Sequence, residues 1–417
     1  MSGPCMNKEG SFAEVFLHGQ KGFIRQTGGL LFAFVLTVTA GFGLSSSADP
    51  VQLRPAQPLN DGAAALLPGS AGSGYAIPCV TDWNGDGKKD LLVGYQSAGK
   101  IALYLNCGTD AHPCFTNFTN LKTVGNIEIC HPSGGCGAPA PWVCDFDGDG
   151  SRDLLVGSGA DGTVWFYRNT GTEVAPSLAL GNQLRVGSSL LSVGVRATPC
   201  IDDWDQDGLP DLLCGSGDGY VYFFKNTNTF RSPIFAPAVK VKAGGADLFL
   251  GIRSVIRVFD WDGDGLKDLV CSSDSGVYWC RNTSISSQRI LQAAQAVRAP
   301  VAGRGLVPIN TGGRMRLDLV DWNNDGVMDL LLGNLNGTVY YYEGYSFRVR
   351  GLVPQGGSRI TLEWESAPFL SYDVLSGSTA NALADLAATN LASAGEITTW
   401  TNTATAGQQF FRLRIAP

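Results

Sequence analysis

Five short segments gather much of the chain's acidity: DWNGDGKKDLLVG from Asp82, DFDGDGSRDLLVG from Asp145, DWDQDGLPDLLCG from Asp203, DWDGDGLKDLVCS from Asp260 and DWNNDGVMDLLLG from Asp321. Numbered from the first Asp, positions 1, 3 and 5 are Asp or Asn, position 6 is Gly and position 9 is Asp in every copy. Oxygen-bearing side chains at alternate positions of a tight loop point inward, and the Gly supplies the positive-φ bend that lets them converge. Position 7 (Lys88, Ser151, Leu209, Leu266, Val327) is free in identity, as expected where only its backbone carbonyl is used. The position-9 carboxylate closes the shell, in bidentate fashion if both oxygens turn inward. Such an oxygen-only cage suits a hard dication, and ligand number and loop flexibility favour Ca²⁺ over Mg²⁺.

Electrostatics points the same way. Two carboxylates about 5 Å apart repel by about 3 kcal/mol at an effective dielectric near 20. No Lys or Arg recurs at a fixed position to neutralise them. Of the 37 acidic residues, 18 fall in these five nine-residue windows, so five bound dications would turn the formal net charge of −7 into +3. The acidity is therefore local, and it argues against nucleic acid as the partner. A polar surface turn accounts for one such segment more readily than for five. An EF-hand is excluded, because that loop needs a Glu at position 12 and flanking helices, whereas here position 9 opens an apolar run.

The elements that must hold these loops recur with them. Starts at 82, 145, 203, 260 and 321 give spacings of 63, 58, 57 and 61, the signature of an array of like units. After each acidic turn come a short apolar run, a Gly-rich turn and an alternating aromatic strand: GTVWFYRN from Gly162, GYVYFFKN from Gly219, GVYWCRN from Gly276 and GTVYYYE from Gly337. Another β-type stretch precedes each turn, such as RSVIRVF from Arg253 or RMRLDLV from Arg314, and a weaker one lies further upstream, such as PAVKVKAG from Pro237. Four strands per unit of this length make a propeller blade. The expected fold class is thus all-β, a five-bladed β-propeller over 49–345 with Val51 to Tyr75 supplying an outer strand that closes the ring. The aromatic at position 2 is expected to pack between blades.

The pattern D-W-N-G-D-G-x-x-D-L-L-V-G resembles the FG-GAP/VCBS repeat family, whose calcium loops occur in integrin α-subunit propellers and in many exported bacterial proteins. The resemblance covers about 295 residues. It implies Ca²⁺, about five ions, held by Asp82, Asn84, Asp86 and Asp90; by Asp145, Asp147, Asp149 and Asp153; by Asp203, Asp205, Asp207 and Asp211; by Asp260, Asp262, Asp264 and Asp268; and by Asp321, Asn323, Asp325 and Asp329. Integrin-type arrays have seven blades where five are counted here, which separates this chain from integrin-like ligand recognition.

From about Ser346 the unit stops. RITLEWES, SYDVLSGS, EITTWTNT and QQFFRLRIAP read as alternating strands between Ser/Ala/Thr-rich turns. Residues 346–417 resemble a small fibronectin type III-like β-sandwich, with Trp364, Tyr372, Trp400 and Phe411 as its core. At the other end, Lys21 and Arg25 precede the apolar run Gly28 to Leu44 and then SSSA, which reads as a signal peptide over 1–48 cleaved after Ala48; an uncleaved anchor is the other reading of the run. The chain is expected to be secreted or held at the cell surface. Ten Cys follow Cys5, an even number suited to an oxidising compartment. Cys107 with Cys114, Cys130 with Cys136 and Cys271 with Cys280 could close short loops, while Cys79, Cys144, Cys200 and Cys214 read equally as buried thiols.

Catalysis has little to draw on. Beyond the leader only His112 and His131 remain, both beside Pro. GSGADG from Gly157 matches a nucleotide-loop pattern, but a strand follows it where a helix is needed, so a hairpin turn accounts for it. No catalytic or organic-cofactor residue is assigned. The expected function is a calcium-stabilised binding or adhesion module for a carbohydrate or extracellular protein ligand. A carbohydrate-active hydrolase or lyase, and a structural role in an envelope or matrix, are the alternatives.

Overall fold

The computed structural model describes residues 12–17, 51–60, 65–66, 75–96, 99–130, 138–284, 289–345, 349–354, 359–377, 385–403 and 409–416. Among these the regular structure is entirely β. Five antiparallel sheets of four strands follow one another along the chain. Sheet I runs Ala76–Thr81, Asp90–Tyr95, Lys100–Tyr104 and Phe118–Asn120; sheet II runs Ala140–Cys144, Asp153–Gly157, Val164–Tyr167 and Asn182–Gln183. Sheet III is Thr198–Asp202, Asp211–Gly215, Val221–Phe224 and Val239–Lys240; sheet IV is Val255–Phe259, Asp268–Ser272, Val277–Cys280 and Gln295–Ala296. Sheet V takes Arg316–Val320, Asp329–Gly333 and Val339–Tyr342 from its own unit and its fourth strand, Gln57–Pro58, from the front of the chain. The expected outer strand from Val51 to Tyr75 is there, paired to Tyr340 and Tyr341.

The second strand of each sheet is buried on both faces, which is why DLLVG and its relatives read as continuous apolar runs. The third strand does not alternate in burial as the sequence suggested: it buries its first and last residues, which point to opposite faces, in VWFY, VYFF and VYYY, and leaves the middle two half-buried. Each unit of sheets I to IV also carries a short hairpin after its fourth strand, such as Lys122–Thr123 with Ile127–Glu128, which the sequence reading did not separate from the fourth strand. The first strand of each sheet touches the first strands of the sheets before and after it, including sheet V with sheet I. At their centre Arg257 of sheet IV bonds Asp318 of sheet V at 2.6 Å. Its guanidinium also lies 4.7 Å over the Trp142 ring of sheet II, and Asp318 accepts the Val80 amide of sheet I.

The aromatic at position 2 of each acidic loop leaves its own sheet and enters the core of the next. Trp83 packs with Leu154 and Tyr167, and Phe146 with Leu212 and Phe224. Trp204 joins Leu269 and Leu291, and Trp261 joins Leu330 and Tyr342. Trp322 returns to Leu91 and Phe115 of sheet I, its ring centroid 6.1 Å from that of Phe115. The expected packing between units is what the structure has.

Beyond Tyr345 two further sheets share one core. Val349–Pro354, Arg359–Glu365 and Ile397–Thr403 form one; Ser371–Gly377, Asp385–Ala392 and Gln409–Ile415 form the other. Trp364, Tyr372 and Phe411 are buried there as expected, and partly buried Trp400 meets Phe411 edge to face. The segment Phe12–Leu17, within the span read as a leader, pairs with Gln409–Ile415 at the edge of the second sheet. The apolar run and its cleavage site lie outside the described residues. No helix among the described residues is long and apolar enough to cross a membrane. No disulfide joins the nine described cysteines. Cys107 Sγ donates to the Cys114 carbonyl at 2.9 Å, and Cys136 lies outside the described residues.

Candidate metal centres

Each acidic segment is the turn from the first to the second strand of its sheet, so all five loops sit at the same end of the five sheets. Position 6 holds φ between 84° and 92° at Gly87, Gly150, Gly208, Gly265 and Gly326, as the bend requires. Position 4 is also left-handed, including the non-glycines Gln206 and Asn324. Position 1 is locked by the backbone: Asp203 Oδ1 accepts the Asp207 amide and Oδ2 the Gly208 amide, both at 3.0 Å. The same pair of bonds is made by Asp82, Asp145, Asp260 and Asp321. Position 5 accepts the position-7 amide in every loop.

Position 9 has a role the spacing did not reveal. Asp90, Asp153, Asp211, Asp268 and Asp329 are fully buried. One oxygen of each accepts the position-2 amide. The other accepts the amide of the residue just past the third strand: Asn106, Asn169, Asn226, Asn282 or Gly344. The carboxylate thus splices loop to strand before any ion is considered; Asp211, Asp268 and Asp329 accept a third bond on Oδ2, from the Asp205 amide, the Trp279 indole and the Tyr341 hydroxyl, so the lone pair they keep for a ligand lies on Oδ1. The four Asn in turn cap the following turn through their side-chain oxygens. The signal for them was present, as Asn closing YLN, YRN, FKN and CRN. Burial pushes the position-9 carboxyls up, to about 6 at Asp153, Asp211 and Asp268 and to about 7 at Asp329.

Fixed cations do exist, and the expectation that none recurs is corrected here. Lys225, the residue before Asn226, bonds Asp205 and reaches Asp207 at 2.7 Å. Arg168, before Asn169, reaches Asp147 at 2.6 Å and Asp149 at 2.8 Å. Arg281, before Asn282, reaches Asp262 at 2.6 Å and Asp264 at 3.1 Å. The cation arrives from the end of the third strand, 17 to 21 residues away in sequence, so a scan inside the loops does not find it. In loops I and V the equivalent residues are Leu105 and Glu343, and position 3 is the neutral Asn84 or Asn323. Those amides instead donate to Asp86 and Asp325. Where position 3 carries a charge, a tethered base answers it.

The residues present fit a dication. In loops II, III and IV the carboxylate oxygens of positions 1, 3 and 9 lie within 4.8 Å of one another. Asp147 Oδ1 and Asp205 Oδ1 are buried without a hydrogen-bond partner. An anionic oxygen so placed calls for a cation beyond the tethered one.

His112 is exposed on the Cys107–Cys114 loop, and His131 lies outside the described residues. The GSGADG segment is the turn between the second and third strands of sheet II, closed by the Ser158 amide on the Thr163 carbonyl.

These geometries define an all-β chain of like units whose acidic loops could hold metal ions. In agreement, the FG-GAP-like repeat family matches residues 260–332, from the fourth acidic loop through the second strand of sheet V. Over 157 residues the chain is 30% identical to integrin alpha-4 of Xenopus laevis, covering 32% of this chain and 14% of that protein. The chain therefore spans about a seventh of that relative's length. Among solved structures, an Agrocybe aegerita lectin that recognises non-reducing terminal N-acetylglucosamine aligns over 87% of this chain and 96% of its own, at 14% identity and a TM-score of 0.35. An exo-beta-1,3-galactanase from Phanerochaete chrysosporium aligns over 89% and 97%, at 9% identity and a TM-score of 0.35.

Two predictions arise from the loops. Replacing Lys225 with Met removes the resident cation of loop III and leaves the position-9 splice intact. Calcium affinity of that loop should rise roughly thirtyfold, since a unit positive charge about 4 Å from a dication repels it by about 2 kcal/mol under water-like screening; isothermal titration of wild type and variant measures it, and unchanged affinity contradicts the competition. The second concerns pH. A carboxyl whose folded pKa is raised stabilises the fold below its unfolded value and loses that contribution as pH rises through the folded value. Calcium-free protein should therefore melt at progressively lower temperature as pH climbs from about 4 to about 7. Calcium should flatten the slope, because the ion replaces the proton.

Proposed function

We propose that the chain is an exported, calcium-stabilised five-bladed β-propeller (49–345), followed by a fibronectin type III-like sandwich (346–417) and preceded by a leader (1–48), acting as a binding module. Ring closure is supported by the mutual contact of the first strands, by Gln57–Pro58 completing sheet V, and by Trp322 entering the core of sheet I. About five Ca²⁺ would sit in the loops at positions 1, 3, 5 and 9, with the position-7 carbonyl. The observation that carries the reading is the orphaned, buried position-3 oxygen in a loop whose other carboxylates are already held in place by backbone amides. An extracellular calcium level suits loops of this kind, whose affinities run near 10⁻⁴ to 10⁻³ M.

The ligand is a carbohydrate or an extracellular protein, bound on the loop-built end opposite the metal sites, where ligands of a rigid β scaffold collect. The calcium loops are structural in this reading, because position 9 and the position-2 aromatic spend their contacts within and between sheets. A glycan and matrix-protein binding screen, with and without EGTA, tests it. Saturable capture of one ligand class that fades as calcium is removed is the expected result. Absence of any capture, with the fold and its calcium intact, overturns the binding role.

A further inference from the structure

The end of the five sheets opposite the acidic loops has its own chemistry. Register makes Ile77, Ala140, Thr198, Val255 and Arg316 equivalent, each paired with the last residue of the apolar second strand motif (Gly94, Gly157, Gly215, Ser272, Gly333). Two residues earlier stand Tyr75, Ala138, Arg196, Arg253 and Arg314. Four of these five are left-handed without being glycine, at φ 70°, 55°, 65° and 54°. Three are arginines. A backbone that would cost least with glycine, in a chain holding 54 of them, instead bears a large cationic side chain at the same place in three successive units. Retained strain of this kind marks positions where the side chain itself is required.

The side chains converge. Tyr75, Ala138, Arg196, Arg253 and Arg316, contributed by all five sheets, line one small cavity. The Arg314 guanidinium lies 3.9 Å over the Tyr75 ring at its edge. Arg316 is 4% exposed, and burial together with its arginine neighbours pulls its guanidinium down to about 9 despite the nearby Asp274. Asp274 bonds Arg253 and stands 3.8 Å from Arg316, so one carboxylate is shared by two guanidiniums. Arg253 Nε is buried with no hydrogen-bond partner. Around this centre Val195, Ile252 and Leu335 are exposed apolar side chains.

We propose that this mouth is an oxyanion-binding site, taking a single carboxylate or sulfate group of the ligand that docks on this end of the ring. Planar guanidiniums in a shared cavity give the donor set that such groups need, and the unpartnered Arg253 Nε is one donor still to be satisfied. The apolar rim suits the uncharged body that carries the group. The inference rests on the ring closure proposed above, because only a closed ring brings Tyr75 and Arg316 beside Arg196.

The test uses the mature, calcium-loaded chain and sodium sulfate or sodium acetate as probe in isothermal titration. One saturable site per chain is expected, weakened at least tenfold in the Arg196→Gly, Arg314→Gly double variant. Because glycine relieves the left-handed strain, that variant should melt at or above the wild-type temperature while it loses the anion. Preference for sulfate over acetate, or the reverse, assigns the head group. Wild-type protein that binds neither probe, or a variant that binds both undiminished, overturns the site. Hydrogen exchange separates this from failure of the ring itself: a protected Leu59 amide, which bonds the Val339 carbonyl, reports a closed seam whichever way the titration falls.

Discussion

Replacing Asp211 with Ala should destabilise the protein by roughly 3–6 kcal/mol whether or not calcium is present, since about three buried amides lose their acceptor at about 1–3 kcal/mol each and part of the loss is relieved by relaxation. Asp211 accepts the amides of Trp204, Asp205 and Asn226, and it is completely buried. Losing it detaches Trp204 from the core of sheet IV as well as the loop from its own third strand. That is a large share of the roughly 5–15 kcal/mol that holds a domain folded. Replacing Asp264, at position 5 of loop IV, should behave differently. It accepts the Leu266 amide and the Arg281 guanidinium at an exposed edge, so Asp264→Ala should melt near wild type in EGTA and below it in calcium. Equal melting temperatures of the two variants in EGTA would contradict the division of labour between positions 9 and 5.

Removal of calcium should have the second large effect, and it should be uneven. Each loop saturated at 100 times its dissociation constant adds about 2.7 kcal/mol by mass action, so chelation should lower the melting temperature by many degrees. Loops II, III and IV keep a tethered Arg or Lys when the ion leaves, whereas loops I and V keep none. Loops I and V also flank the seam, where Gln57–Pro58 completes sheet V and Asn324 meets Asp110 and Lys89. Hydrogen exchange in EGTA should therefore rise first in sheets I and V and in the Leu59 amide. Uniform loss of protection over all five sheets would show that the tethered cations do not substitute for the ion.

What the sequence made legible was whatever lies close together in it. The five loops, the apolar second strands and the aromatic third strands are local patterns, and the structure has them where the spacing put them, though the third strands bury their ends and do not alternate. The position-2 aromatic was legible because a Trp or Phe recurring in an otherwise polar turn needs a core to enter. The tethered cations were not, because Arg168 and Asp149 stand 19 residues apart and meet only after the third strand returns to the loop. The splice at position 9 was hidden for a different reason: an aspartate that accepts amides and one that binds a metal look alike in a motif. Nor does composition announce the arginine mouth. Its residues come from separate units and share only a register position and a backbone angle.

The measurement that bears most directly on the account is the calcium bound to the purified chain in equilibrium dialysis against about 10 mM calcium, well above the weak affinities expected, taken as the excess over the dialysate and paired with a melt in EGTA. About five calcium ions per chain, and a melting temperature that falls on chelation, are the predicted results. A chain that carries no calcium and melts at the same temperature in EGTA as in calcium would contradict the claim that metal ions complete the acidic loops.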